Sequence, residues 1–290
     1  MGADTVPVHV REWAAREFGP VSSWRRVEGG YSAATRFVVT TGAGRSVFVK
    51  AASDEMTAGW LRREHETLSG FSAPFAPALL GWSDGPLPLL VLEDLSAGEW
   101  PPPWRAGLVG EVVGLLAELH ARRAPAHLPR LVDDRDVADG WEVVSADPEP
   151  LLGLGIVDRD WLADSLDVLR AAAAAAPLDG GSPLHCDVRS DNVVHLDGRT
   201  VLIDWDRCAV GNPLFDLAFW APSLHVEGGP EPERVVGRAP ELASLVAGFF
   251  AARAWRPPPH PGSTVRELQV AQLRSALPWA ARELGLAPPR

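Results

Sequence analysis

The sequence predicts an α+β fold in two parts: a small strand-rich part over 1–93 and a larger, mostly helical part over 94–290. Three observations predict it. Short β-branched and aromatic runs, broken by glycine turns, crowd the first part at 24–27, 36–40, 46–50 and 86–92. Apolar residues recur at helical spacing in the second part, over 106–122, 159–176, 240–254 and 264–284. Between the second and third of these helices lies a dense set of polar residues, followed by a hairpin: Val193-Val194, the turn Asp197-Gly198, then Val201-Leu202-Ile203.

The elements follow in order. Residues 8–18 read as a short helix. The turn Thr41-Gly42-Ala43-Gly44 leads into the strand that ends at Lys50. Gly42 and Gly44 do not open a dinucleotide fingerprint, because the third glycine is missing and no helix follows. A helix is predicted over 54–68, with Ser53 as its N-cap and Asp54 and Glu55 in its first turn. Leu108, Val112, Leu115, Leu116 and Leu119 share one face of the next helix. The alanine run at the end of 159–176 needs no functional reading, alanine being the best helix former. After Asp216 the chain is helical again, interrupted at 227–232 by glycine and proline. No internal repeat is present.

The net charge of −11 argues against nucleic acid as a partner. That charge is uneven: 1–93 carries nine basic and ten acidic side chains, and 94–290 carries 18 and 28. If the second part holds a substrate, a cationic one is favoured; solubility explains the same excess. Two cysteines, Cys186 and Cys208, give no disulfide framework. No apolar run approaches the roughly 20 residues that span a bilayer, and the first residues lack a signal-peptide core. A cytoplasmic protein with no membrane partner is expected.

The polar set is specific. His185, Asp187 and Asn192 form an H-x-D-x-x-x-x-N segment, and Asp204 follows twelve residues after Asn192. The hairpin between them folds the chain back, so Asn192 and Asp204 can converge on one ion. One aspartate to orient a hydroxyl, with an asparagine and a second aspartate to hold Mg²⁺, is the layout of phosphoryl transfer. Lys50 supports it independently: 26 of 27 basic residues are arginine, and the single lysine closes the third strand. Glu64 follows on a helix at a distance suited to pair with it. A P-loop is excluded, since Ala51 follows this lysine.

In these residues the chain resembles the aminoglycoside phosphotransferase / choline kinase family, small-molecule kinases on the protein-kinase scaffold, over nearly its whole length. Gly29-Gly30-Tyr31-Ser32 resembles the nucleotide loop, and 90–95 the hinge. Residues 116–120 resemble the helix before the catalytic loop. Asp204-Trp205-Asp206 resembles the metal segment, and Asp216-Leu217-Ala218 the start of the next helix. The resemblance implies a protein-kinase-like bilobal fold, with ATP or GTP as donor and Mg²⁺ as cofactor. It implies a small-molecule hydroxyl acceptor, such as an aminoglycoside-like antibiotic.

It also implies residue roles. Asp187 aligns the acceptor hydroxyl, while Asn192 and Asp204 bind the metal, with Asp206 as an outer group and Asp191 facing solvent. Lys50, held by Glu64, meets the α- and β-phosphates. Gly29, Gly30 and Ser32 cradle phosphate, and the backbone of Glu93 and Leu95 meets adenine. His185 and Asp216 support the loop structurally, and His120 is expected buried and hydrogen-bonded. Two positions depart from the family pattern, which often has Gly after the His and Pro ahead of the Asn; here stand Cys186 and Ser190. With no Ala-Pro-Glu segment and little chain after Asp204, a regulated activation loop is not expected.

Other readings compete. One is a kinase of a metabolite: an amino sugar, a choline-like alcohol or homoserine. Another is a catalytically inactive binding protein on the same fold, which the intact residue set opposes. A metal hydrolase using His185, Asp187 and Asp204 leaves Lys50 unexplained. Residues 131–160 and 216–290 are expected to form the acceptor pocket. There Asp133, Asp134, Asp136 and Asp139 meet ammonium groups on one reading and form a solvated helix start on the other. Segment 227–233 is a candidate lid. The twelve tryptophans are expected in packing, with Trp100, Trp104 and Trp220 as candidates to line a sugar-type pocket.

Overall fold

The computed structural model describes residues 6–27, 34–71, 73–105, 107–259 and 263–289. The chain divides into two compact units: 1–100 with 191–207, and 101–190 with 208–290. A single cut at residue 93 therefore does not describe it. The hairpin predicted after Asn192 belongs with the first unit, although it lies late in the sequence.

The first unit begins with α1 (Val8–Phe18), β1 (Val21–Arg26), β2 (Thr35–Thr41) and β3 (Ser46–Ala51). It continues through α2 (Glu55–Gly70), β4 (Leu79–Ser83) and β5 (Leu89–Glu93). The strands make one antiparallel sheet in the order β1-β2-β3-β5-β4. Its pleat sorts the side chains. Phe37, Val39, Val47, Val49, Ala51, Leu89 and Val91 form a core with Val10, Trp13 and Ala14 of α1. Strand alternation sends Phe48 and Lys50 to the opposite face. The cross-strand partners Arg36↔Lys50 and Phe48↔Leu92 share that face.

Helix α2 starts one residue later than predicted. Asp54, not Ser53, is the N-cap: its carboxylate accepts the Thr57 N–H at 2.8 Å. Thr57 Oγ1 in return takes the backbone N–H groups of Ser53 and Asp54, at 2.9 and 3.0 Å. This reciprocal box satisfies donors that a serine cap alone would leave open. The strand β4 was not foreseen; its five residues include a glycine and none is fully buried, so no alternation marks it.

The second unit holds α3 (Leu108–His120), α4 (Arg135–Ala138), α5 (Gly140–Ala146), α6 (Glu149–Leu152), α7 (Arg159–Ala174) and β6 (Ser182–Leu184). The chain then enters the first unit for β7 (Val193–Leu196) and β8 (Arg199–Leu202), which pair antiparallel about Asp197-Gly198. It returns with β9 (Ala209–Gly211), α8 (Leu214–Val226), α9 (Pro232–Val236), α10 (Pro240–Ala251) and α11 (Val265–Leu284). Helix α10 is central, with Leu242, Leu245, Val246 and Phe250 buried. Its Gly248 meets Gly140 of α5 so closely that a Cβ on Gly140 would sit 2.3 Å from the Gly248 backbone. Trp141 then reaches across and donates to the Ser244 carbonyl at 2.8 Å.

Asp134 caps α4 through the Val137 N–H at 3.2 Å, and Asp133 and Asp136 are exposed. The acidic cluster is thus a solvated helix start. Among the described residues no helix is long and apolar enough to cross a membrane.

Candidate active site

In the first unit, Lys50 is the centre of a charged cluster. Its Nζ lies 2.7 and 2.8 Å from the two Glu64 oxygens, and it also bonds Asp204 Oδ1. Glu64 occupies the buried stripe of α2 between Leu61 and Leu68, a place for an apolar residue unless a cation meets it. Burial works against the Lys50 ammonium, but the Asp204 and Glu64 carboxylates outweigh it and hold its pKa above the usual lysine range. The backbone N–H of Trp205 also bonds the Glu64 carboxylate, which ties α2 to the segment after β8.

That segment is fixed by an aromatic anchor. Trp205 is fully buried, with Phe71 at 5.7 Å and Phe75 at 6.0 Å. Its indole donates to the Leu202 carbonyl at 2.7 Å. Asp204 and Asp206 flank the anchor, and Asp204 takes a left-handed backbone, φ 63°. Burial, with Glu64 and Asp204 nearby, pushes the Asp206 carboxyl up to about 7. Three carboxylates therefore gather around one ammonium.

Asn192 reaches the same place from the other arm of the hairpin. Its carbonyl accepts the Ile203 N–H at 3.0 Å, one residue before Asp204, and its side chain is buried. The amide oxygen and the carboxylate are hard donors of the kind Mg²⁺ takes, and the surplus negative charge suits a divalent cation. Among the described residues no group of three or more His, Cys, Asp or Glu side chains could hold a metal ion alone. Two protein ligands completed by phosphate and water fit this donor set.

A cleft of about 320 Å³ opens here, lined by Phe48, Lys50, Leu92, Leu95, Asn192 and Asp204. Arg36, Glu93, Trp100 and the exposed Asp191 also contribute to its wall. The Glu93 amide donates to the Ala78 carbonyl at 3.0 Å, and the Leu95 carbonyl accepts from Gly98 at 3.0 Å. The Glu93 side chain bonds Arg199 at the tip of the β7–β8 hairpin, and Glu99 pairs with His195 through two backbone bonds. The hairpin is thus strapped to the segment after β5. Nothing in the sequence signalled the Glu93–Arg199 contact, which spans 106 positions. Gly29, Gly30 and Ser32 lie outside the described residues.

The second unit carries the loop with Asp187. Asp216, buried in the first turn of α8, accepts the backbone N–H groups of His185 and Cys186 at 3.0 and 2.8 Å. His120 Nε2 meets the same carboxylate at 2.8 Å. His185 is fully buried, and its Nδ1 accepts the Asp187 N–H at 3.3 Å. Cys186 takes φ 62°, a left-handed backbone that explains why the family often places Gly there.

Asp187 is half-buried and pairs with Arg189 at 2.5 Å. Sequence reasoning passed over Arg189, whose pairing with Asp187 depends on a loop conformation that no strand or helix periodicity marks. Ser190 donates to Glu227 at 2.6 Å, and Trp104 donates to the other Glu227 oxygen at 2.8 Å. Trp220 is fully buried, whereas Trp104 is half-buried. Segment 227–233 is pinned rather than loose: Arg282 of α11 bonds Glu233 at 2.6 Å and Glu231 at 3.2 Å.

Comparison with known proteins bears on the family and the fold. The model of the phosphotransferase enzyme family matches residues 23–284. A choline/ethanolamine kinase family protein from Mesorhizobium loti superposes with a TM-score of 0.61 at 17% identity, over 96% of this chain and 97% of that one. A putative fructosamine-3-kinase from Thermobifida fusca gives 0.56 at 20% identity, over 95% and 99%. The streptomycin–ATP–APH(2")-IIa ternary complex gives 0.53 at 16% identity, over 86% of each chain. At these identities the likeness speaks for the fold. No curated protein sequence matches the chain.

Proposed function

We propose, for a chain that belongs to the phosphotransferase enzyme family, that it moves the γ-phosphate of ATP or GTP to a hydroxyl of a small molecule. The observation that carries the reading is Lys50, held by Glu64 and Asp204 on the wall of a cleft that Leu95 and Asn192 also line.

Phosphoryl transfer asks for positioning and charge neutralisation rather than a covalent enzyme intermediate. The adenine edge bonds the backbone of Glu93 and Leu95. Lys50 neutralises the α- and β-phosphates, and Glu64 keeps it aimed. Backbone N–H groups of Gly29 and Gly30, with the Ser32 hydroxyl, cradle phosphate. Asn192 and Asp204 hold Mg²⁺, which when bound neutralises charge on the β- and γ-phosphate oxygens. Asp187 accepts a hydrogen bond from the acceptor hydroxyl and aligns its oxygen for in-line attack. His185 and Asp216 fix the loop that presents Asp187.

The acceptor we favour is a small amine-bearing alcohol, because the chain as a whole carries a net charge of −11, which favours a cationic ligand. An aminoglycoside-like antibiotic is one such molecule; an amino sugar, a choline-like alcohol and homoserine are the metabolite counterparts. Activity in the cytoplasm, where nucleotide is plentiful, fits this reading. The complete set Lys50, Glu64, Asp187, Asn192 and Asp204 disfavours an inactive binding protein.

The test is Mg²⁺-dependent consumption of ATP and GTP across aminoglycosides, macrolides, choline, homoserine and amino sugars, with Asp187→Asn as control. Turnover with one acceptor class that vanishes in the control supports the reading. Failure of the wild-type protein to bind either nucleotide in the presence of Mg²⁺ overturns it.

A further inference from the structure

We propose that Glu227 is a positioning residue for the loop that carries Asp187, and that with Asp216 it makes α8 a splint gripping that loop at both ends. The proposal rests on the kinase reading above. Asp216, in the first turn of α8, takes the N–H groups of His185 and Cys186, while Glu227, just past the end of the same helix, takes the Ser190 hydroxyl. The two residues stand eleven positions apart along α8 and its cap, about 16 Å of rise. Residues 185 to 190 cover up to about 18 Å when extended. One helix can therefore hold both ends of the loop, with Asp187 between the grips.

Glu227 is built to hold its place. Its N–H donates to Ser223 at 3.2 Å, and the Gly229 N–H donates to Leu224 at 2.8 Å. Gly228 takes φ 89°, and a Cβ on Gly229 would lie 2.5 Å from the Leu224 side chain, so the turn that follows α8 needs both glycines. The second carboxylate oxygen takes the Trp104 indole N–H at 2.8 Å. The Trp104 ring packs edge-on against the fully buried Trp220 at 5.4 Å. Both oxygens of Glu227 are thus committed, one to the loop and one to a packed aromatic pair.

Ser190 gives the contact its purpose. It stands where the family pattern often has proline, whose ring stiffens the chain by fixing φ. Serine lacks that restraint, and its hydroxyl, on a residue only 9% exposed, is spent on Glu227 instead. In this chain a hydrogen bond from α8 supplies the stiffness that a proline would supply covalently.

The experiment compares Glu227→Ala, Glu227→Gln, Ser190→Ala and the Glu227→Ala/Ser190→Ala double variant. It reads steady-state transfer, to the acceptor or to water, and amide hydrogen exchange of residues 184–190. A misplaced reacting group costs up to about a hundredfold. We expect Glu227→Ala and Ser190→Ala each to lower kcat about tenfold to a hundredfold, with KM for the nucleotide unchanged. Exchange should rise in the loop alone, and the double variant should be no worse than the poorer single, as for two ends of one contact. Glu227→Gln, whose amide oxygen can accept the Trp104 N–H while its NH2 donates to the Ser190 hydroxyl oxygen, keeps both contacts and should recover most of kcat. Wild-type kcat in Glu227→Ala, additive losses in the double variant, or exchange rising across the whole second unit in Glu227→Gln overturns the proposal. If the wild-type protein neither binds nor turns over nucleotide, the kinase reading fails. The exchange of 184–190 in Glu227→Ala then still decides whether Glu227 holds the loop.

Discussion

Lys50 and Glu64 are joined by two hydrogen bonds, 2.7 and 2.8 Å, with side chains only 6% and 3% exposed. A buried ion pair contributes little net stability over an apolar pair of the same size, but breaking it strands a charge. Lys50→Met should therefore cost about 3 kcal/mol and abolish binding of Mg²⁺-nucleotide. Lys50→Met with Glu64→Leu should regain most of that stability and none of the binding. Urea denaturation and calorimetric titration separate the two effects. Nucleotide affinity surviving in Lys50→Met would remove this lysine from the site.

Asp204 offers its carboxylate to Lys50 and, beside Asn192, to the cleft. Asp204→Asn keeps the shape and removes the charge. We expect ATP affinity to become insensitive to Mg²⁺, while adenosine, which carries no phosphate, binds as it does to the wild-type protein. Loss of adenosine binding in the variant would mean that Asp204 shapes the cleft rather than serving the metal.

Asp187 and Arg189 form an ion pair two residues apart in one loop. Removal of a residue that aligns and accepts a reacting proton costs about a hundredfold to ten-thousandfold. Asp187→Asn should lose about that much kcat and keep nucleotide affinity. Arg189→Ala should lose about tenfold by freeing the Asp187 rotamer, and Arg189→Lys should restore part of it. Equal activity in Arg189→Ala and the wild-type protein would make the pair a surface contact only.

The parts of this fold that local pattern encodes were legible. Strands β2, β3 and β5, the long helices and the β7–β8 hairpin each carry their own periodicity and turn. The family resemblance, the family-model match and the kinase-like fold agree. Other features were not legible. The grouping of 191–207 with the first unit comes from pairing across about a hundred residues, as in Glu99–His195. The Gly140–Gly248 approach needs two surfaces to meet before either glycine has meaning. Strands β6 and β9 are three residues each and leave no alternation to read. Glu227 gave no sign of its contact with Ser190, 37 positions away, and suggested a lid instead.

Cys186 adopts φ 62°, where an L-residue with a Cβ pays about 1–2 kcal/mol. Its backbone N–H, the group Asp216 grips, does not depend on the side chain. Cys186→Gly removes the steric cost and returns part of the gain, since glycine loses more freedom on folding. The net effect should be a gain of no more than about 1 kcal/mol, with catalytic activity retained. Cys186→Val should move the other way, because a β-branched side chain tolerates this backbone least. A loss of about 1–2 kcal/mol is expected from the added strain. Urea denaturation of the three proteins orders them as glycine, cysteine, valine. A valine variant as stable as the wild-type protein would mean that the loop does not turn through a left-handed residue at this position, and the explanation of the family's glycine would fall with it.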